Sequence, residues 1–340
     1  MKLSTWAYFR WHGLQRKLGL ISHGESLIAF YELNQFPASY DIIYLLIAAQ
    51  ARSISKGLKI THVVVVEGNA STFREENADY EKAYPRWQRD WFVCQVIEQM
   101  PRLAPLCGRT ASRLSEKEAR RLKASYADYL ACNMEWEWNP LHRIRKEAHA
   151  AWRQYGERVA FRSGEGAKKL MHDWLQAHGF KSKPIVLTVR DRKWSHGRNS
   201  NRGDWLRFAH HLKKENIPAV VIPDTERLFE TIDFSEWELP ICVPASLNTE
   251  LRLALCEHAR MNFTVNTGPG TMLLFSKAPY RYFANLDKTS ESSRQLWEEI
   301  GLPPGSQLSA NLTQQKIIWE EDSFENLSRE LNDVLQSITA

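Results

Sequence analysis

Thirteen residues, Arg190 to Arg202, carry five Arg or Lys against one Asp and follow directly on the apolar run Ile185-Val186-Leu187-Thr188-Val189. A cationic, glycine-containing loop at the carboxyl end of a strand is where open α/β sheets bind anions, phosphates above all. Arg190 stands at the strand end, with Arg192 and Lys193 just beyond it. A guanidinium grips a diphosphate bidentately and keeps its proton, so it suits charge that grows on a departing nucleotide. The plainer alternative is a solvated loop with incidental charge.

A second loop, Asn266-Thr267-Gly268-Pro269-Gly270, lies between Phe263-Thr264-Val265 and Thr271-Met272-Leu273-Leu274-Phe275. That order reads as strand, tight turn, helix. Backbone amides at such a helix start can cradle phosphate oxygens, with glycine where the chain needs φ > 0 or a close approach to the ligand. Any strand-to-helix turn can also use Gly and Pro without binding anything. Glu257 could accept hydrogen bonds from ribose hydroxyls, or pair with Arg252 or Arg260 on its own helix. Asp224, closing Val220-Val221-Ile222, could meet a ribose or base, or simply form a turn after Pro223.

In the amino-terminal half, Asp41 falls in the first turn of a helix and could take a proton from an acceptor hydroxyl, or stabilise the helix dipole and nothing more. Glu67, at the end of the second strand, is the competing base. His23 reads as a loop residue. No Ser/His/Asp order, phosphate-binding Walker motif or H-E-x-x-H stretch is present, so hydrolase and P-loop chemistry have no residues to stand on.

These side chains need elements to hold them. Leu27 to Leu33 reads as a strand, Ser39 to Ser53 as a helix capped by Ser39, and Thr61 to Glu67 as a buried parallel strand of β-branched residues. A helix over Arg86 to Met100 should stop at Pro101. A short strand at Thr110 to Leu114, helices at Ser115 to Tyr126 and Leu141 to Tyr155, and an unassigned stretch at Cys132 to Trp138 complete the first unit. Ser163-Gly164-Glu165-Gly166 is the best linker. Beyond it, a helix over Ala167 to His178 leads into strands at 184–190, 218–223, 241–243, 262–266, 280–283 and 317–319. Helices at 204–215, 249–260, 270–277 and 325–338 alternate with them. Such alternation implies α/β architecture with parallel sheets, here as two Rossmann-like domains facing across a cleft. The expected division is an acceptor-side domain over 1–165, a nucleotide-sugar donor domain over 166–322 and a terminal helix over 323–340.

Composition sets the outer limits. The chain has 340 residues, 43% apolar and 25% charged, which suits two soluble domains. A formal charge of +5 is too mild for a nucleic-acid coat and fits an anionic small ligand. The five cysteines are dispersed, with no C-x-x-C pair and no His at zinc spacing, so reduced thiols and no metal site are expected. No secretory signal or spanning segment is legible, and a cytoplasmic protein is expected. Met1 to Gly24 holds four cations, no acid and four aromatics. It could lie on an anionic membrane surface as a peripheral contact, or pack as a helix on its own domain.

Thr264-Val265-Asn266-Thr267-Gly268-Pro269-Gly270-Thr271 resembles the loop of heptosyltransferases, where Asp-Thr-Gly-Pro-Met holds the donor diphosphate; Asn266 stands for the Asp and Gly270 for the Met. Leu187-Thr188-Val189-Arg190 is similar to the strand-then-Arg element of fucosyltransferases, which implies that Arg190 binds the donor's β-phosphate. Arg252 to Ala259 resembles the helix before the glycine loop in polysaccharide-cluster transferases. The likeness covers residues 184 to 285 and thins in the amino half to Phe30-Tyr31-Glu32-Leu33 and Pro37-Ala38-Ser39-Tyr40-Asp41, where Asp41 stands near the base of inverting heptosyltransferases. The resemblance implies a GT-B glycosyltransferase with a nucleotide-sugar donor as substrate, a glycan or lipid-linked glycan acceptor of a bacterial surface polysaccharide, and no cofactor or bound metal. A nucleotide-sugar epimerase of the same fold and a non-catalytic nucleotide- or glycan-binding protein remain open.

Overall fold

A computed structural model describes residues 26–67, 73–74, 78–108, 111–125, 129–130, 140–193, 196–230, 233–286, 288, 293–309 and 311–339. The basic, aromatic segment Met1 to Gly24 with its His23, and the stretch Cys132 to Trp138, lie outside the described residues.

The first sheet begins with β1 (Ser26–Glu32), followed by α1 (Ile42–Ser55) and β2 (Ile60–Glu67). β1 and β2 run parallel, Ala29 opposite Val63 and Tyr31 opposite Val65. Next come α2 (Ala78–Ala83) and α3 (Arg86–Phe92), then β3 (Ser112–Ser115), α4 (Glu116–Ser125) and the two-residue β4 (Tyr129–Leu130). The strand order is β3-β2-β1-β4. Helix α5 (Pro140–Tyr155) then packs against α1.

The second sheet follows α6 (Glu165–Ala177). It is built from β5 (Ile185–Thr188), β6 (Ala219–Ile222), β7 (Met261–Val265), β8 (Tyr280–Phe283) and β9 (Gln315–Ile318), in the order β6-β5-β7-β8-β9. Its connections are α7 (Arg202–Lys214), α8 (Val243–Leu247), α9 (Thr249–His258), α10 (Gly268–Leu274) and α11 (Arg294–Glu299), with α12 (Phe324–Thr339) closing the chain. Every pairing in both sheets is parallel.

Both faces of each sheet are covered, which is why the strands read as continuous apolar runs. On β1, Leu27, Ala29 and Tyr31 point into a core shared with α1 and α5, while Ile28 and Phe30 meet Leu122 of α4. On the second sheet, Val186, Val220 and Tyr282 belong to the same core as the first-sheet residues. Ile185, Leu187 and Phe263 face the opposite way, onto Trp205 of α7 and Leu331 of α12.

Several boundaries differ from expectation for local reasons. Helix α1 starts at Ile42, not Ser39: the Ser39 hydroxyl accepts the Asp41 N–H at 3.2 Å and donates to the Asp41 carboxylate at 2.7 Å, so Ser39 builds a turn ahead of the helix. The helix expected over 86–100 passes into a π turn at Val93–Ile97 and a 3₁₀ turn at Met100–Leu103 that takes Pro101 in its first positions. In place of a strand at 241–243, Ile241 makes a single bridge to Val221 and α8 begins at Val243 with Pro244 in its first turn, a position that lacks nothing for want of an N–H.

The stretch expected as a linker is anchored. Gly164 N–H donates to Glu250 at 3.1 Å, and just upstream Phe161 N–H donates to Phe275 O and Arg162 N–H to Leu103 O, both at 2.8 Å. Helices α2, α8 and α11 and strand β4 are short, the longest of them six residues, too brief to leave a periodic signature in the sequence.

Candidate functional site

Parallel sheets open a crevice where consecutive strands leave in opposite directions, because the loops at their carboxyl ends diverge there. In the second sheet this happens at β5, which has β6 on one side and β7 on the other. Thr188 pairs with Thr264, so the loops carrying Arg190 and Asn266 start side by side. In the first sheet β1 stands between β2 and β4, and the chain after β1 carries Pro37 to Asp41. These ends face one another across a cavity of about 390 Å³, in the range of small-ligand sites.

From the second sheet, Arg190, Arg192, Arg198, Asn266, Thr267, Gly268 and Thr271 line the cavity. Arg190 is only 4% exposed, and its guanidinium Nη1 donates to Asn199 Oδ1 at 2.7 Å. Burial, with the like charges of Arg198 and Arg192, brings its pKa down to about 10. Nothing in the sequence sets Arg198 apart from its cationic neighbours, yet its Nη2 donates to the Asn266 carbonyl at 3.1 Å and so fastens the two loops together. The Asn266 side chain turns inward and accepts the Tyr282 hydroxyl at 3.0 Å.

Arg192 lines the same cavity but is bound to the protein itself. It pairs with Glu226, lies 4.0 Å from Asp224, and stacks over the rings of Tyr84 and Phe92 from the first half. Despite burial, the Asp224 charge and those of Tyr84 and Glu226 push its pKa well above the usual arginine value.

From the first half come Ser39, Tyr40, Asp41, Tyr44, Arg74, Tyr80, Tyr84, Arg89, Leu141 and Arg145. Asp41 Oδ1 accepts from Arg145 Nη2 at 2.8 Å and Oδ2 from the Ser39 hydroxyl at 2.7 Å. Burial alone would raise its pKa; the charge and hydrogen bond of Arg145, the Ser39 bond and the charge of Arg198 outweigh it and hold the carboxyl below its ordinary value. Arg145 sits on α5, where the sequence offers a helix over Leu141 to Tyr155 and nothing that marks this residue. Among the described residues the lining thus sets six arginines against one carboxylate.

The remaining sequence candidates do not line the cavity. Lys193 extends to Glu230 at 2.5 Å. Asp224 caps the 3₁₀ turn Thr225–Phe229, accepting the Glu226 N–H at 3.2 Å, and also takes the Asp191 N–H at 3.3 Å; of the two roles open to it, the turn is the one seen. Glu257 binds neither Arg252 nor Arg260 but the Ser163 hydroxyl and N–H, and burial raises its pKa. Glu67 lies 3.6 Å from Arg113.

Gly268 and Gly270 have neither a left-handed backbone nor open space around them. A methyl group on Gly268 would come within 2.5 Å of Tyr40 Cβ, and one on Gly270 within 2.7 Å of the Val265 carbonyl. Both glycines therefore answer to packing within the protein: Gly268 lets the two halves touch, and Gly270 seats α10 on β7.

Cys94, Cys107, Cys242 and Cys256 are free thiols, and burial pushes Cys107 and Cys256 up to about 12. Among the described residues no helix is long and apolar enough to cross a membrane, and no group of three His, Cys, Asp or Glu is placed to hold a metal ion.

No protein-family model matches the sequence, and comparison with characterised proteins finds no match. Solved structures do match. The ADP-heptose lipopolysaccharide heptosyltransferase II of E. coli superposes over 93% of this chain and 100% of its own, with a TM-score of 0.51 at 10% identity. A family 9 glycosyl transferase from Veillonella parvula covers 93% of this chain and 99% of its own, with a TM-score of 0.48 at 10% identity. With two parallel sheets facing across a cleft and the likeness to the E. coli enzyme extending over its whole length, the chain has the GT-B fold.

Proposed function

We propose that the protein is a glycosyltransferase that moves a sugar from a nucleotide-sugar donor to the growing glycan of a bacterial surface polysaccharide. The observation that carries the reading is the meeting of Arg190, Arg198, Asn266 to Gly268 and Asp41 in one cavity at the carboxyl ends of both sheets. The second-sheet half holds the donor diphosphate on the two guanidinium groups and the main chain of the 266–268 loop. Asp41, kept ionised by Arg145, takes the proton of the acceptor hydroxyl. The hydroxyl oxygen bonds to the anomeric carbon from the face opposite the diphosphate, and the anomeric C–O bond breaks with its electron pair left on the diphosphate, inverting the centre. Charge then grows beside cations that are already in place and need no reorganisation. Arg74, Arg89 and Arg145 line the first-half wall, where the acceptor is presented. The nucleotide sugar is the substrate, and the displacement calls on no cofactor.

The test is release of nucleoside diphosphate from a panel of nucleotide sugars, with and without glycan acceptors. Arg190→Ala is expected to lower kcat/KM by about 100-fold, or ~2.7 kcal/mol of transition-state stabilisation. Asp41→Asn is expected to stop transfer while donor binding persists. Turnover of Arg190→Ala within about threefold of wild type, ~0.7 kcal/mol, contradicts the assignment. Isomerisation of the donor without acceptor would identify an epimerase instead, and tight donor binding with no turnover a binding protein.

A further inference from the structure

Two arginines open the loop after β5, and one amide side chain, Asn199, touches both. Arg192 is gripped by carboxylates, Glu226 above all. Arg190 is gripped by an amide: Asn199 Oδ1 accepts its Nη1–H at 2.7 Å. The same oxygen accepts the Arg192 main-chain N–H at 3.1 Å, and Asn199 Nδ2 donates back to the Arg192 carbonyl at 2.9 Å. Ser200 completes the clasp, its hydroxyl accepting the Arg190 N–H at 3.0 Å and its own N–H donating to the Arg190 carbonyl at 2.9 Å. One side chain with both a donor and an acceptor thus pins the base of the loop and aims a guanidinium at once, a combination that an amide supplies and a carboxylate does not.

We propose that Asn199 is the positioning residue of the anion site: its amide oxygen aims the Arg190 guanidinium into the cavity while the same amide pins the base of the loop. Arg192 takes the other task, tying the loop to Glu226 and to the Tyr84–Phe92 segment of the first half. A carboxylate at position 199 would hold Arg190 equally firmly and spend its charge in an internal ion pair. The inference rests on the donor-binding reading above, and deepens it by separating the residue that meets the ligand from the residue that orients it.

The experiment is titration calorimetry on the full chain with two probes, inorganic pyrophosphate and a panel of nucleoside diphosphates. Wild type, Asn199→Ala, Asn199→Asp, Arg190→Ala and the Asn199→Ala/Arg190→Ala double variant are compared, with melting temperatures recorded for each. Asn199→Ala is expected to weaken binding about tenfold in the wild-type background and less than about twofold once Arg190 is gone, since two residues acting through one interaction are not additive. Asn199→Asp is expected to bind more weakly still. An equal loss from Asn199→Ala in both backgrounds assigns it a merely structural role and overturns the proposal, as does wild-type affinity in Asn199→Asp. Pyrophosphate that binds with the expected Asn199 pattern while no nucleoside diphosphate binds sinks the donor reading and leaves the positioning role standing. Nucleoside diphosphates that need Arg190 but ignore Asn199 do the reverse, and no binding of either probe overturns both.

Discussion

Arg190 and Arg192 stand two positions apart with the same charge, yet their surroundings give them different work. The sequence shows that the loop is cationic; it does not show that Glu226 claims one guanidinium and Asn199 the other, because those partners lie 34 and 9 residues away. Lys193 is drawn off to Glu230 in the same manner. Asp41 was legible as a carboxylate near a helix start, but Arg145, on another helix 104 residues on, sets its charge state. His149 makes a sharper case. It is 1% exposed between Tyr44 and Phe275, and neither ring nitrogen has a hydrogen-bond partner among the described residues. Burial first, then the charges of Arg153 and Arg145, lower its pKa to about 3. The unfolded chain takes up a proton below about 6.5 that the folded chain refuses, so stability falls as pH drops through that window, by ~1.4 kcal/mol per pH unit. Denaturant melts at pH 7 and pH 5 should differ by about 2 kcal/mol from this group, and His149→Phe should remove that difference. An undiminished slope in His149→Phe would show that the imidazole is not the group responsible.

At the scale of elements, apolar runs carried the strands well. β1, β2, β5, β6, β7 and β8 lie within a residue or two of where their hydrophobic and β-branched stretches place them, since parallel strands buried on both faces leave an unbroken apolar signature. The short elements were illegible, whereas the glycine loop was legible as strand, turn and helix start. What the sequence does not show is the packing its glycines allow: Gly268 admits Tyr40 and Gly270 admits the Val265 carbonyl. Gly268→Ala is therefore expected to destabilise the protein by ~1–3 kcal/mol through overpacking where the halves meet. Gly166→Ala, with nothing near its added methyl group and a place inside α6, is expected to be neutral or to stabilise by up to ~1 kcal/mol. Thermal melts of the pair check this; equal behaviour of the two variants would show that the Tyr40 contact yields without cost.

The whole molecule is two parallel sheets whose switch points face each other, and neither sheet makes the site alone. Alternation of strands and helices along the chain made that architecture readable, while the cavity's charge balance emerged only when Arg74, Arg89 and Arg145 of one half joined Arg190 and Arg198 of the other. A ligand that bridges both halves binds the folded state alone, so at 100 times its Kd it should stabilise the fold by ~2.7 kcal/mol. The central claim is that Arg190 and Arg198 converge on a diphosphate. Calorimetric titration of nucleoside diphosphates into wild type and Arg190→Ala, at low and high salt, tests it most directly. One nucleoside diphosphate is expected to bind wild type with one-to-one stoichiometry, more weakly as salt rises, and at least about tenfold more weakly to Arg190→Ala. Binding to Arg190→Ala within about twofold of wild type, or no binding to wild type by any member of the panel, would contradict it.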